Sequence, residues 1–139
     1  MLFHEKYLDV LQNIEFGIVQ IYRKYPELHD YDVMNALEAL IDFYVAQKID
    51  RNPRDFFLSD RAMLVFENVK NSCEWRLGRK PIEIESINME GGEIDEIETV
   101  PKKLDEIINC LKKILSSVKK WNKRGGRQGY LSFVSPFIK

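Results

Sequence analysis

Glu38 and Asp42 lie one helical turn apart, and Asn35 precedes Glu38 by three residues. At i, i+3 and i+7 the three share one face of a helix and form the polar stripe of an otherwise apolar segment. Two carboxylates so close repel unless a cation lies between them. Facing inward, with a further carboxylate from a neighbouring helix, they would offer oxygen ligands to Mg²⁺ or Mn²⁺ for phosphate-ester hydrolysis. A metal cage needs more ligands than the chain brings to this stripe, so the favoured reading is a narrow solvent strip paired with Lys or Arg, and no metal site is assigned.

Glu15 is a second candidate. On a helical wheel it falls between Tyr22 and Leu8, inside the apolar arc of the first predicted helix, where an unpaired ionised carboxylate is costly. Such a group is either a perturbed acid or base or, as favoured here, a structural acceptor for an Arg, a Lys or a Tyr hydroxyl across a helix contact.

The third candidate is basic: Lys119, Lys120, Lys123, Arg124 and Arg127, within a stretch ending Lys123-Arg-Gly-Gly-Arg-Gln-Gly-Tyr130. Glycines let the backbone approach an anion, arginines offer bidentate contacts, and Trp121 and Tyr130 would stack on bases, so the cluster fits a polyanion or nucleic acid. Two simpler roles compete with that one. The glycines end a helix whose dipole the cations complement, or the acidic stretch 83–98, which has no Lys or Arg, lies against the cluster.

The motifs of common enzymes are missing. The chain has no G-x-x-x-x-G-K-[ST], G-x-G-x-x-G, G-x-S-x-G, H-E-x-x-H or paired C-x-x-C. Its histidines, His4 and His29, have no nucleophile motif beside them, and the Glu-x-x-His pairs of a di-iron bundle do not occur. No cofactor is expected, and the reading leans away from an enzyme. Cys73 and Cys110 are too few and too far apart for a zinc or redox framework and read as packing residues.

These side chains are positioned by elements that the hydrophobic periodicity sets out. Apolar residues recur on one stripe over 3–25 (Tyr7, Leu11, Ile14, Ile18, Ile21, Tyr25), ended by Pro26. A second helix runs over 30–49, capped by Asp30 and apolar around most of its circumference. A third, over 59–77, is capped by Ser59 and ended by Gly78. The fourth opens near Thr99-Val100-Pro101 and runs to about Trp121. Between the last two, residues 82–98 read as an acidic insertion, either a short hairpin or a loop. The aromatic and β-branched segment 126–139 reads as an extended tail.

With 139 residues and a net charge of −1, the chain is sized for one core and shows no overall pull toward nucleic acid or membrane. The expected fold is mainly α, a single domain over 1–139 built as a four-helix antiparallel bundle, with short links joining up-and-down neighbours. No charge-free stretch is long enough to span a bilayer. His4, Glu5, Lys6 and Asp9 interrupt any secretory signal, so a cytoplasmic protein is expected.

The third helix has two apolar faces, one of them carrying Leu64 and Trp75. That pair is either an interaction patch or the seat of the tail's Phe133 and Phe137. The leading functional expectation is a non-enzymatic helical module that binds a protein partner or a second copy of itself through this surplus surface. Polyanion binding and, behind it, metal-dependent phosphohydrolysis at Glu38 and Asp42 are the alternatives.

Overall fold

A computed structural model describes residues 2–78 and 92–136, with side chains described over 9–78 and 102–136. The predicted periodicities become four long helices: α1 (Leu2–Lys24), α2 (Asp30–Lys48), α3 (Asp60–Leu77) and α4 (Gly92–Gly125). A 3-10 turn over Gly126–Gln128 and a short α5 (Gly129–Val134) follow. No strand occurs among the described residues. The protein is a mainly α four-helix bundle.

Local chemistry accounts for most of the helix ends. Ser59 caps α3 by accepting from the Ala62 amide at 3.1 Å. Gly78 ends α3 in the left-handed region at φ 78°, where a Cβ would be strained, and donates its N–H back to Glu74 and Trp75. At the start of α2 the cap is His29, not Asp30. The His29 Nδ1 accepts from the Tyr31 amide at 3.0 Å, and the Asp32 carboxylate accepts from the His29 amide at 2.9 Å. Asp30 is drawn inside instead, where the Tyr22 hydroxyl and the Tyr130 and Gly129 amides reach it.

Two further expectations, on the start of α4 and on the tail, are corrected. Helix α4 begins at Gly92, so Pro101 is its tenth residue and not its opening one. Residues 92–98 are therefore its first turns and cannot form one arm of a hairpin, while 82–91 lie outside the described residues. An interior Pro removes one backbone bond, and acidic residues in the opening turn suit the positive end of the helix dipole. The segment 126–139 is not an extended tail over 126–134. Its β-propensity yields to the burial of Tyr130 and Val134, which with Phe133 form an i, i+3, i+4 face. Gly129 permits this return, since a Cβ there would sit 2.0 Å from the Trp121 carbonyl oxygen.

Direction along the bundle is read from its polar contacts. At one end, Tyr22 of α1 donates to Asp30 of α2, Ser59 before α3 reaches Asp32 at 3.3 Å, and Gln128 after α4 donates to the Leu28 carbonyl at 2.8 Å. Toward the other end, Lys48 of α2 pairs with Asp105 of α4, Arg76 of α3 pairs with Glu106 of α4 at 2.7 Å, and Tyr44 of α2 donates to Glu74 of α3 at 2.6 Å. Thus α4 runs antiparallel to α2 and to α3, while α2 and α3 run the same way, a correction to the expected up-and-down succession of neighbours. The link 49–59 carries the chain back between them. Helices α1 and α2 reverse direction across their short turn but sit diagonally, so the ring order is α1–α3–α2–α4 and the two hardly touch beyond that turn. The reason lies in α2, whose buried Val33, Ala36, Leu37, Ala39, Leu40 and Tyr44 leave two apolar sides to be covered, by α3 and α4. The core centres on Ile14 and Ile18 of α1, Leu37 and Leu40 of α2, Val65 and Cys73 of α3, and Ile107, Leu111 and Ile114 of α4.

Candidate functional site

The acidic stripe of α2 resolves into ion pairs. Asp42 is 6% exposed and accepts from the Arg51 guanidinium at 2.7 Å, the Arg54 amide at 2.7 Å and the Arg54 Nε at 3.2 Å. These donors, Arg51 foremost, hold its carboxyl down at about 2. Glu38 lies 3.5 Å from Lys119 of α4, and Asn35 is exposed. The two carboxylates therefore face cations of this chain. Among the described residues no group of three His, Cys, Asp or Glu is placed to hold a metal.

Glu15 meets a phenol. Tyr130 of α5 donates its hydroxyl to Glu15 at 3.3 Å, while burial pushes the carboxyl above its usual range and Lys113 pulls it back in part. The same Tyr130 donates its backbone N–H to Asp30 at 3.2 Å, and Tyr22 donates its hydroxyl to the other Asp30 oxygen. Asp30 is fully buried, and burial raises its pKa above the ordinary value. Both tyrosines are pushed far up, mainly by burial, and so remain protonated donors. The result is a chain of contacts, Glu15 to Tyr130 to Asp30 to Tyr22, that anchors α5 to α1 and α2. Asp30 was not recognisable in advance as its member, because a carboxylate at a helix start ordinarily caps that helix.

The surface is less closed around α1. A groove of about 860 Å³ lies between α1 and α3, with Val10, Ile14 and Cys73 in its floor and Phe16, Asn13, Trp75 and Arg76 at its edges. A second, of about 490 Å³, lies between α1 and α5, and the two share Asp9, Asn13 and Phe16. Phe16 is 45% exposed and Trp75 63%. Leu64, expected beside Trp75, is half-buried against the core, whereas Phe133 stacks on Trp121 with centroids 4.3 Å apart. Phe137 lies outside the described residues.

Gly17 stands beside Phe16 on the α1/α3 groove, and a Cβ added there would meet nothing within 4 Å. Glycine inside a helix costs roughly 0.5–1 kcal/mol relative to alanine. Among the described residues, nothing in the packing around Gly17 requires that cost.

The basic cluster sits around one indole. Lys120 and Arg124 lie over the Trp121 ring at 5.7 and 5.2 Å. Arg127 reaches the Pro26 carbonyl at 3.5 Å, and Lys123 is exposed. Tyr130, expected as a stacking surface, is fully buried. Cys73 and Cys110 are both buried; burial raises both thiols, that of Cys110 to about 12. No helix among the described residues is long and apolar enough to cross a membrane. No family model, curated protein or solved structure matches the chain.

Proposed function

We propose that this protein is a helical interaction module that pairs with a second copy of itself through the outward stripe of α1. The observation that carries the reading is the adjacency of an exposed Phe16 and an open Gly17. A twofold interface must be complementary to itself, so a knob and a hole side by side on one helix suffice. Phe16 of each copy seats over Gly17 of the other as two α1 helices cross. Asn13 and Gln20, at i−3 and i+4 from Phe16, are exposed on the same stripe and supply polar contacts at its rim. The grooves on either side of α1 receive the rest of the partner helix.

Sedimentation equilibrium at tens to hundreds of micromolar tests this. Wild type is expected to dimerise, and Phe16→Asp to be monomeric with an unchanged circular dichroism spectrum, because Phe16 is already half in solvent. Gly17→Ala is expected to stabilise the monomer by roughly 0.5–1 kcal/mol while weakening the dimer. A wild-type chain that stays monomeric throughout that range removes the proposal.

A further inference from the structure

The near-zero net charge of the chain conceals a division. From Ile107 onward the sequence holds no Asp or Glu but eight Lys or Arg, seven of them described: Lys112, Lys113, Lys119, Lys120, Lys123, Arg124 and Arg127. The first six lie on exposed positions of α4, and Arg127 is exposed just beyond it. From Lys112 to Arg124 the row spans about 18 Å at the rise of an α-helix.

Among the described residues, few acids face this row. Glu38 pairs with Lys119, and Lys113 is a coulombic partner of Glu15. Asp42 shares a groove with Lys112 but is held by Arg51 and Arg54, and Arg54, its side chain 72% exposed, brings another cation to that groove. The acidic residues 93–98 stand on the opening turns of the same helix. Glu98 is about 33 Å along the axis from Lys120, several screening lengths away at physiological salt. The stretch cannot neutralise this end from its place on α4.

We infer that the outward face of α4, through Lys112, Lys120, Lys123, Arg124 and Arg127, binds the phosphate backbone of a nucleic-acid duplex. The match is one of charge: a duplex carries a negative charge about every 1.7 Å along its axis. A single strand is disfavoured because it needs open aromatic platforms. Here Trp121 is stacked by Phe133, with cations over its ring, and Tyr130 is buried. A bilayer is disfavoured because, among the described residues, the exposed large apolar side chains, Phe16, Tyr31, Ile49, Phe57, Met63 and Trp75, lie off α4 and give this face nothing to insert.

Fluorescence anisotropy with a random-sequence duplex of about 30 base pairs tests the inference, with salt varied between about 50 and 200 mM. The expected log–log slope of affinity against salt is about −3 to −4. The triple variant Lys112→Gln, Lys120→Gln, Lys123→Gln alters exposed side chains only; it should keep the wild-type helicity, bind about tenfold or more weakly, and lose roughly two to three from that slope. Absence of binding at the lowest salt overturns the inference, as does a triple variant that binds like wild type. Preference for phosphatidylserine vesicles or for polyglutamate over the duplex overturns it too, assigning the face to a membrane or to an acidic protein segment.

Discussion

Asp30 and Asp42 are both nearly inaccessible carboxylates at α2, and their environments push them in opposite directions. Asp30 accepts from the Tyr22 hydroxyl and the Tyr130 and Gly129 amides, but burial outweighs them and its pKa rises; Glu15 follows the same logic. Asp42 has two arginines and falls to about 2. The signs for stability follow. The fold prefers Asp30 and Glu15 protonated, so what they contribute is complete below their ordinary pKa values and is lost as pH rises through the raised ones. Asp42 contributes above the ordinary 3.8, and that contribution is lost as pH falls toward 2. Asp42 therefore pulls denaturant midpoints down toward pH 2 against the opposite pull of Asp30 and Glu15, and Asp42→Asn should lower stability at neutral pH and leave midpoints at pH 2 closer to those of wild type. Tyr22→Phe leaves a buried Asp30 oxygen without its hydroxyl donor and should cost roughly 1–3 kcal/mol in the same assay. Tyr130→Phe affects the less buried Glu15 and should cost about 1 kcal/mol.

Among the elements, α5 shows how a short helix is held in place. Six residues are too few to be helical alone in water. It is fixed by the buried Tyr130 and Val134, by the Phe133 ring on Trp121, and by the absence of a side chain at Gly129. Gly129→Ala places a methyl group against the Trp121 carbonyl and should cost about 1–3 kcal/mol. Because the clash is relieved by undocking α5, the near-ultraviolet signal of Trp121 should change before the far-ultraviolet helical signal does. The sequence carried the ingredients of α5 but pointed elsewhere: its aromatic and β-branched residues favour a strand until a core is available to bury them. The start of α4 was misplaced for a related reason. Pro101 looks like a first-turn residue, and its place as the tenth shows only once the preceding turns are seen to be helical.

The whole molecule is organised around α4, which meets α1, α2, α3 and α5. Leu111 is fully buried near its centre, so Leu111→Ala should cost roughly 2–5 kcal/mol. The loss should appear as a single cooperative transition by circular dichroism and fluorescence alike. At this scale the sequence determined much by itself: four helices, both caps of α3, the rows that face inward, and the need of Glu15 for a polar partner all follow from local spacing and the cost of burying a charge. The uneven placement of charge was also legible, but only when α4 is counted apart from the rest of the chain. Tertiary structure alone decided the ring order, the parallel course of α2 and α3, and the choice of Tyr130 as the link between Glu15 and Asp30. Those outcomes depend on which apolar faces meet and on groups about a hundred residues apart in the chain. Periodicity gives each helix a buried side, but it does not name the helix that covers it.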